Sequence, residues 1–297
     1  MARQALLGYG DAVTNTGPTQ IIAFDPTTRT FETETTIDEE AILEYRVIGD
    51  RLFVPGIDAI DDVGGAIYVR DGAGWTTRPL AEAVHVLDVA MDGDRLCVAL
   101  QDRLAGAEVR CSRDDGMTWT SSPAGGWRAT SLFALGGQLY VASVGRGVTR
   151  VGGGRVPFAI PDATDAAVIA RETTCGNAVV FSARDSWKPG ATVLGAFRAT
   201  VADDGAIAIA RIALDGAPAY IFSSRDACYV LTNTSPTTAA IYESRDDGIS
   251  WSPRVDLDVP MQATSAALMD GYFYVGLGCE YAAPCTALAG RLLRIRE

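Results

Sequence analysis

Few residues in this 297-residue chain have the type and spacing to do chemistry. The single histidine, His85, has no serine, aspartate or metal-ligand companion at a useful spacing, so packing is the role it supports. A richer group sits in Ser182-Ala-Arg-Asp-Ser-Trp-Lys-Pro-Gly190, where Arg184, Asp185, Trp187 and Lys188 put an aromatic ring beside charged groups. That combination suits a sugar or a peptide, with a tryptophan folded back on its own loop as the plainer reading. Glu280 and Tyr281, in the short loop between Cys279 and Cys285, join these as binding candidates. Asp58, Asp61 and Asp62 offer oxygen ligands of the kind Ca²⁺ takes, although a solvated acidic turn fits the same spacing better. No glycine-rich phosphate loop leads from a strand into a helix and no Cys-x-x-Cys occurs, so neither a cofactor nor a metal is expected.

The elements that must position these residues come from a repeat. A Gly/Asp turn followed by an apolar run recurs at Ala5-Leu-Leu-Gly, Arg51-Leu-Phe-Val, Arg95-Leu-Cys-Val, Gln138-Leu-Tyr-Val, Ala178-Val-Val-Phe, Cys228-Tyr-Val-Leu and Tyr272-Phe-Tyr-Val. The second residues, 6, 52, 96, 139, 179, 229 and 273, lie 40 to 50 residues apart. Six of these phrases follow another apolar run, a third run comes after the loop, and a weaker fourth closes most units. Four strands in about 43 residues is the period of a propeller blade, so one all-β, seven-bladed β-propeller domain of four-stranded antiparallel blades is expected over residues 1–297. The first unit lacks a clear innermost strand and the last an outer one, which keeps six blades open as the alternative.

The cysteines can be placed on this map. Cys97 and Cys111 fall on consecutive antiparallel strands in a register that sets them opposite each other. Cys175 and Cys228 flank the first turns of successive blades, and Cys279 and Cys285 bracket one loop. Three disulfides are therefore expected, and with them an oxidising destination.

Two phrases are nearly identical, Ser112-Arg-Asp-Asp-Gly-Met-Thr-Trp119 and Ser244-Arg-Asp-Asp-Gly-Ile-Ser-Trp251. They resemble the Asp-box, or BNR repeat, of sialidases and many other propellers, and Arg70-Asp-Gly-Ala-Gly-Trp75 looks like a decayed third copy. In this reading Asp114 and Asp246 tie tight turns, Gly116 and Gly248 supply positive φ, and Trp119 and Trp251 plug gaps between strands. The resemblance implies a sialidase-like fold. It does not bring a sialidase active site, because Tyr45-Arg46-Val47-Ile48 only partly matches the family's first arginine phrase, lacking its proline and lying too near the turn at Gly49. Arg46 is expected to be solvated or ion-paired, and no catalytic residue is assigned.

Composition narrows the partners. A net charge of −12 disfavours nucleic acid and anionic membranes, and no apolar stretch approaches a membrane span. The expectation is a non-enzymatic, surface-exposed binding or assembly module for a glycan or a protein, extracellular, periplasmic or part of a virion such as a phage tail. The residues from Met1 to Gly10 lack the apolar run of a secretory leader, so a mature form with its leader removed or a cytosol-made product is expected, with an oligomer or larger assembly open. A sialidase-like glycoside hydrolase is the alternative.

Overall fold

The structure is a computed structural model that describes residues 4–8, 10, 17–57, 64–72, 74–164, 166–188, 190–202, 204–224, 226–279 and 287–297. Among them every helix or strand is a β-strand. The chain divides into two compact units, Met1–Leu132 and Phe133–Glu297.

In the first unit, β1 (Ala5–Leu7), β2 (Thr19–Asp25) and β3 (Thr30–Ile37) form one sheet. A second contains β4 (Arg46–Ile48), β5 (Arg51–Pro55), β6 (Ala66–Asp71) and β7 (Gly74–Pro79), and a third contains β8 (Ala83–Asp92), β9 (Arg95–Asp102), β10 (Gly106–Ser112) and β11 (Thr120–Pro123). The division between units falls within β12 (Arg128–Leu135), which is followed by β13 (Gln138–Val144) and β14 (Gly147–Arg150) in the fourth sheet. The second unit continues with β15 (Val168–Cys175), β16 (Ala178–Arg184), β17 (Val193–Val201) and β18 (Ile207–Ile212). After these come β19 (Ala217–Ser224), β20 (Ala227–Ser235), β21 (Thr238–Ser244) and β22 (Ser252–Asp258). The seventh sheet holds β23 (Ala263–Met269), β24 (Tyr272–Leu277) and β25 (Leu292–Arg296). Seven antiparallel sheets whose strands lie side by side in chain order make this an all-β, seven-bladed β-propeller, and the six-bladed alternative falls.

The repeated phrases explain the elements. Each anchor from Leu52 onward lies on the second strand of its sheet, and those strands are buried almost throughout, as both faces covered by neighbouring sheets require. Outermost strands such as β7 and β11 are mostly exposed and polar. The core is accordingly laminated. In the first unit Phe53 and Val69 of the second sheet pack with Val89, Val98 and Leu100 of the third. In the second unit Tyr229 and Ile241 of the sixth sheet pack with Phe273 and Val275 of the seventh.

Two details depart from a uniform four-stranded blade. The first and last sheets are three-stranded among the described residues, the shortfall expected at the ends. The fourth is also three-stranded, because Gly152-Gly153-Gly154 and Pro157 follow β14 and cannot sustain a ladder. There, Val156, donating to the Val148 carbonyl (3.0 Å), Arg150, donating to the Gly154 carbonyl (3.1 Å), and an isolated Thr149–Arg155 bridge run along β14.

One regularity has no signature in the sequence. In four innermost strands the ladder skips a residue, Leu87, Ala170, Ala219 or Thr264, each five positions before the last paired residue, Asp92, Cys175, Ser224 or Met269. A bulge re-aims the side chain that follows it, so Asp88, Arg171, Tyr220 and Ser265 share one station in their blades.

Candidate functional site

On the innermost strands of the first unit, the station after the bulge holds Asp88. Its side chain is 2% exposed and receives a bidentate pair from Arg46 of the preceding blade, Nε to Oδ1 at 2.7 Å and an Nη to Oδ2 at 3.0 Å. The Val89 amide (2.7 Å) and the Leu132 amide of β12 (2.6 Å) donate to the same carboxylate. Four donors offset the cost of burying the charge, and Asp88 thereby ties together strands of three successive blades. Arg46, 20% exposed, also lies 3.4 Å from Glu44. Its guanidinium is thus ion-paired, as expected, and links strands of neighbouring blades.

Sialidase chemistry also needs a tyrosine nucleophile with a glutamate partner. Two buried Tyr–Glu pairs exist, Tyr68 donating to Glu39 and Tyr229 to Glu243, each at 3.1 Å. Both tyrosines are buried in layers between neighbouring blades. Burial, then the neighbouring carboxylate, pushes Tyr229 up to about 12 and raises Tyr68 as well, the opposite of what activates a phenolate. His85 is half-buried, with Nδ1 on the Ile57 carbonyl.

The two Ser-x-Asp-x-Gly-x-Ser/Thr-Trp turns are built alike. Ser112 Oγ donates to Asp114 (2.7 Å) and accepts from the Gly116 amide (2.8 Å), while the Thr118 amide and hydroxyl donate to the two oxygens of Asp114 (2.8 and 2.6 Å). Ser244, Asp246, Gly248 and Ser250 repeat every one of these bonds. The hydroxyls of Thr118 and Ser250, foremost among these donors, hold both carboxyls down to about 2. Gly116 has φ +83°, and a Cβ there would meet the Trp119 ring at 3.0 Å.

Each turn also latches onto the preceding blade. Asp115 pairs with Arg51 and Arg78, and its carbonyl accepts from Arg78 Nε at 2.8 Å. The Asp247 carbonyl accepts from Arg198 Nε at 2.6 Å, and its carboxylate from the Asn177 amide at 3.3 Å. Trp75, Trp119 and Trp251 pack into the layer between their own blade and the one before. One step along the ladder from the box serine, Cys111 faces Cys97 in one blade and Glu243 faces Tyr229 in the other, so a covalent link and a hydrogen bond occupy the same station.

The disulfides Cys97–Cys111 and Cys175–Cys228 form as the repeat map requires. The first crosses β9 and β10, and the second joins the end of β15 to the start of β20 in the next blade. Cys285, expected to pair with Cys279, lies outside the described residues, as do Glu280, Tyr281, Asp58, Asp61 and Asp62.

Arg184 ends β16, and Asp185, Trp187 and Lys188 follow it in the connection to β17. Asp185 is used inside it: its amide donates to the Thr192 carbonyl (3.0 Å), while its carboxylate accepts from the Thr192 amide and the Ser186 hydroxyl, both 3.1 Å. Trp187 is half-buried and Lys188 exposed. A group that sequence reasoning passed over is more open. Trp127, in the connection from β11 to β12, is 44% exposed, with the Arg128 guanidinium 4.5 Å from its ring centroid. Arg128 Nε donates to Gln101 (2.7 Å). The nearby β9–β10 turn presents Leu104, 85% exposed, and a Cβ at Gly106 would lie 3.6 Å from the Trp127 Cα. An available signal was the Gly125-Gly126 pair before Trp127, which sets this ring in a turn rather than in a strand. Asp88 had one too, as a lone carboxylate in the apolar run Val84 to Met91.

No family model matches this sequence, and no curated protein does. Solved structures do. A candidate 6-phosphogluconolactonase from Bacteroides fragilis superposes with a TM-score of 0.59 at 10% identity, over 93% of this chain and 88% of that one. Another from Bacteroides uniformis gives 0.55 at 12% identity, over 99% and 95%. A protein from Lactobacillus plantarum gives 0.51 at 11%, over 87% and 98%. The likeness is one of fold. At such identities it transfers no substrate.

Proposed function

We propose that the protein is a non-enzymatic β-propeller binding or assembly module that recognises a glycan or a protein through loops between second and third strands and connections between blades. The observation that carries this reading is Trp127, an exposed indole backed by Arg128, with Gln101 and Leu104 beside it. Rigid aromatic area flanked by hydrogen-bonding groups is the usual composition of a recognition patch, for sugars and proteins alike. The ion-paired Arg46 and the raised phenols of Tyr68 and Tyr229 weigh against the sialidase-like hydrolase. The two identically bonded box turns support kinship with Asp-box propellers as a scaffold. Disulfides suit an oxidising destination, extracellular, periplasmic or on a virion such as a phage tail. Among the described residues no helix is long and apolar enough to cross a membrane.

The test is a screen of immobilised glycans and extracellular protein fragments with the purified chain, repeated with Trp127→Ala and Trp187→Ala. Trp127→Ala should weaken binding by about 2 kcal/mol, roughly thirtyfold. Binding that survives both substitutions at full strength contradicts the proposal.

A further inference from the structure

The seventh blade exposes its third strand to an unusual degree. In the sheets with four strands the third strand is β6, β10, β17 or β21, and β7, β11, β18 or β22 runs along its outer side. Their interiors are largely buried, as in β21, where every residue after the first is buried. Next to β14, the segment around Arg155 and Val156 takes that place. β25 has no such neighbour among the described residues, and none of its five residues is buried.

Its ladder fixes what that edge offers. Glu297 N–H donates to the Gly271 carbonyl (2.9 Å) and Leu277 N–H to the Arg291 carbonyl (2.9 Å), so odd-numbered residues bond toward β24. Alternation along an antiparallel pair turns the backbone groups of Leu292, Arg294 and Arg296 outward. Side chains divide by face: Leu293 and Ile295 pack against the core shared with the sixth sheet, while Arg294 and Arg296 are exposed on the other face. Arg294 is held there with its guanidinium 3.7 Å from the Tyr272 ring centroid.

We propose that the outer edge of β25 is a strand-docking site that takes an extended acidic segment of a partner protein as the fourth strand of the seventh blade. Backbone pairing supplies the affinity and side-chain alternation the specificity. Opposite Leu293 and Ile295 the incoming strand carries apolar residues; opposite Arg294 and Arg296 it carries Glu or Asp, since facing charges of opposite sign stabilise a cross-strand pair. The same arginines exclude a second copy of this edge, because antiparallel pairing of two β25 strands sets arginine against arginine. This site is separate from the Trp127 patch and does not depend on that patch's role.

A fluorescent peptide of alternating valine and glutamate tests it, with an alternating valine and lysine peptide as control, against the full chain and the double variant Arg294→Glu/Arg296→Glu. Expected is saturable binding of the acidic peptide to the wild type, with slowed hydrogen exchange at the Leu292, Arg294 and Arg296 amides. The charge-reversed variant should lose the acidic peptide by at least tenfold and gain the basic one, a gain that a misfolded chain would not show. Equal binding of both peptides to the wild type would overturn the proposal. So would slow exchange at those three amides without peptide, or self-association that protects them.

Discussion

Asp88 shows how one buried charge can serve as structure. A carboxylate 2% exposed, bonded to Arg46 and two amides, stabilises only as a complete set. Asp88→Ala should cost about 3–5 kcal/mol in denaturant unfolding, because Arg46 loses its bidentate pair and the buried Val89 and Leu132 amides lose their acceptor, and Asp88→Asn should cost less. A loss under 1 kcal/mol for Asp88→Ala would mean the pair contributes little. The box carboxylates make a prediction about acid. Asp114 and Asp246 titrate near 2 in the folded chain against an ordinary 3.8, so each favours folding above the unfolded value. That contribution is fully present above about pH 4 and disappears as pH falls toward 2. Chemical denaturation followed from pH 5 to pH 2 should therefore show a fall in stability that Asp114→Asn/Asp246→Asn flattens. Identical slopes in the two chains would contradict the assignment.

At the scale of elements, the apolar phrases predicted the second strands because residues buried on both faces must be apolar at nearly every position. The cysteine map held for the two pairs within the described residues, the first for a related reason: an antiparallel register fixes which residues oppose each other, and Cys97 meets Cys111 where the count puts it. The bulges were not legible, since skipping Leu87, Ala170, Ala219 or Thr264 changes backbone pairing without demanding a particular residue type. Asp88 and Trp127 were legible in principle, one as a polar break in an apolar run and the other as an aromatic in a Gly-Gly turn, but neither belongs to a repeated phrase. The disulfides allow a comparison between elements. Cys175–Cys228 spans 53 residues and joins two blades, whereas Cys97–Cys111 spans 14 within one hairpin. Loop-closure entropy makes the longer link worth about 1 kcal/mol more. Unfolding of Cys175→Ser/Cys228→Ser and Cys97→Ser/Cys111→Ser should differ by that amount, and the reverse order would show that local packing outweighs chain entropy. Trp251→Ala, which opens the layer between the fifth and sixth sheets, should cost about 3 kcal/mol.

For the whole molecule, the seven-sheet β-propeller and the disulfides Cys97–Cys111 and Cys175–Cys228 describe a cross-linked scaffold that points to an oxidising setting. The Arg46–Asp88 pair on the innermost strands is committed to holding blades together, the Tyr68 phenol is buried against Glu39, and the open Trp127 ring lies in a connection between blades. The most direct measurement is turnover of a fluorogenic sialoside by the wild type and by Arg46→Lys and Arg46→Ala, each checked for folding by its thermal melt. The expected result is no turnover above buffer in any of the three. Turnover by the wild type that a folded Arg46 variant loses would contradict the account.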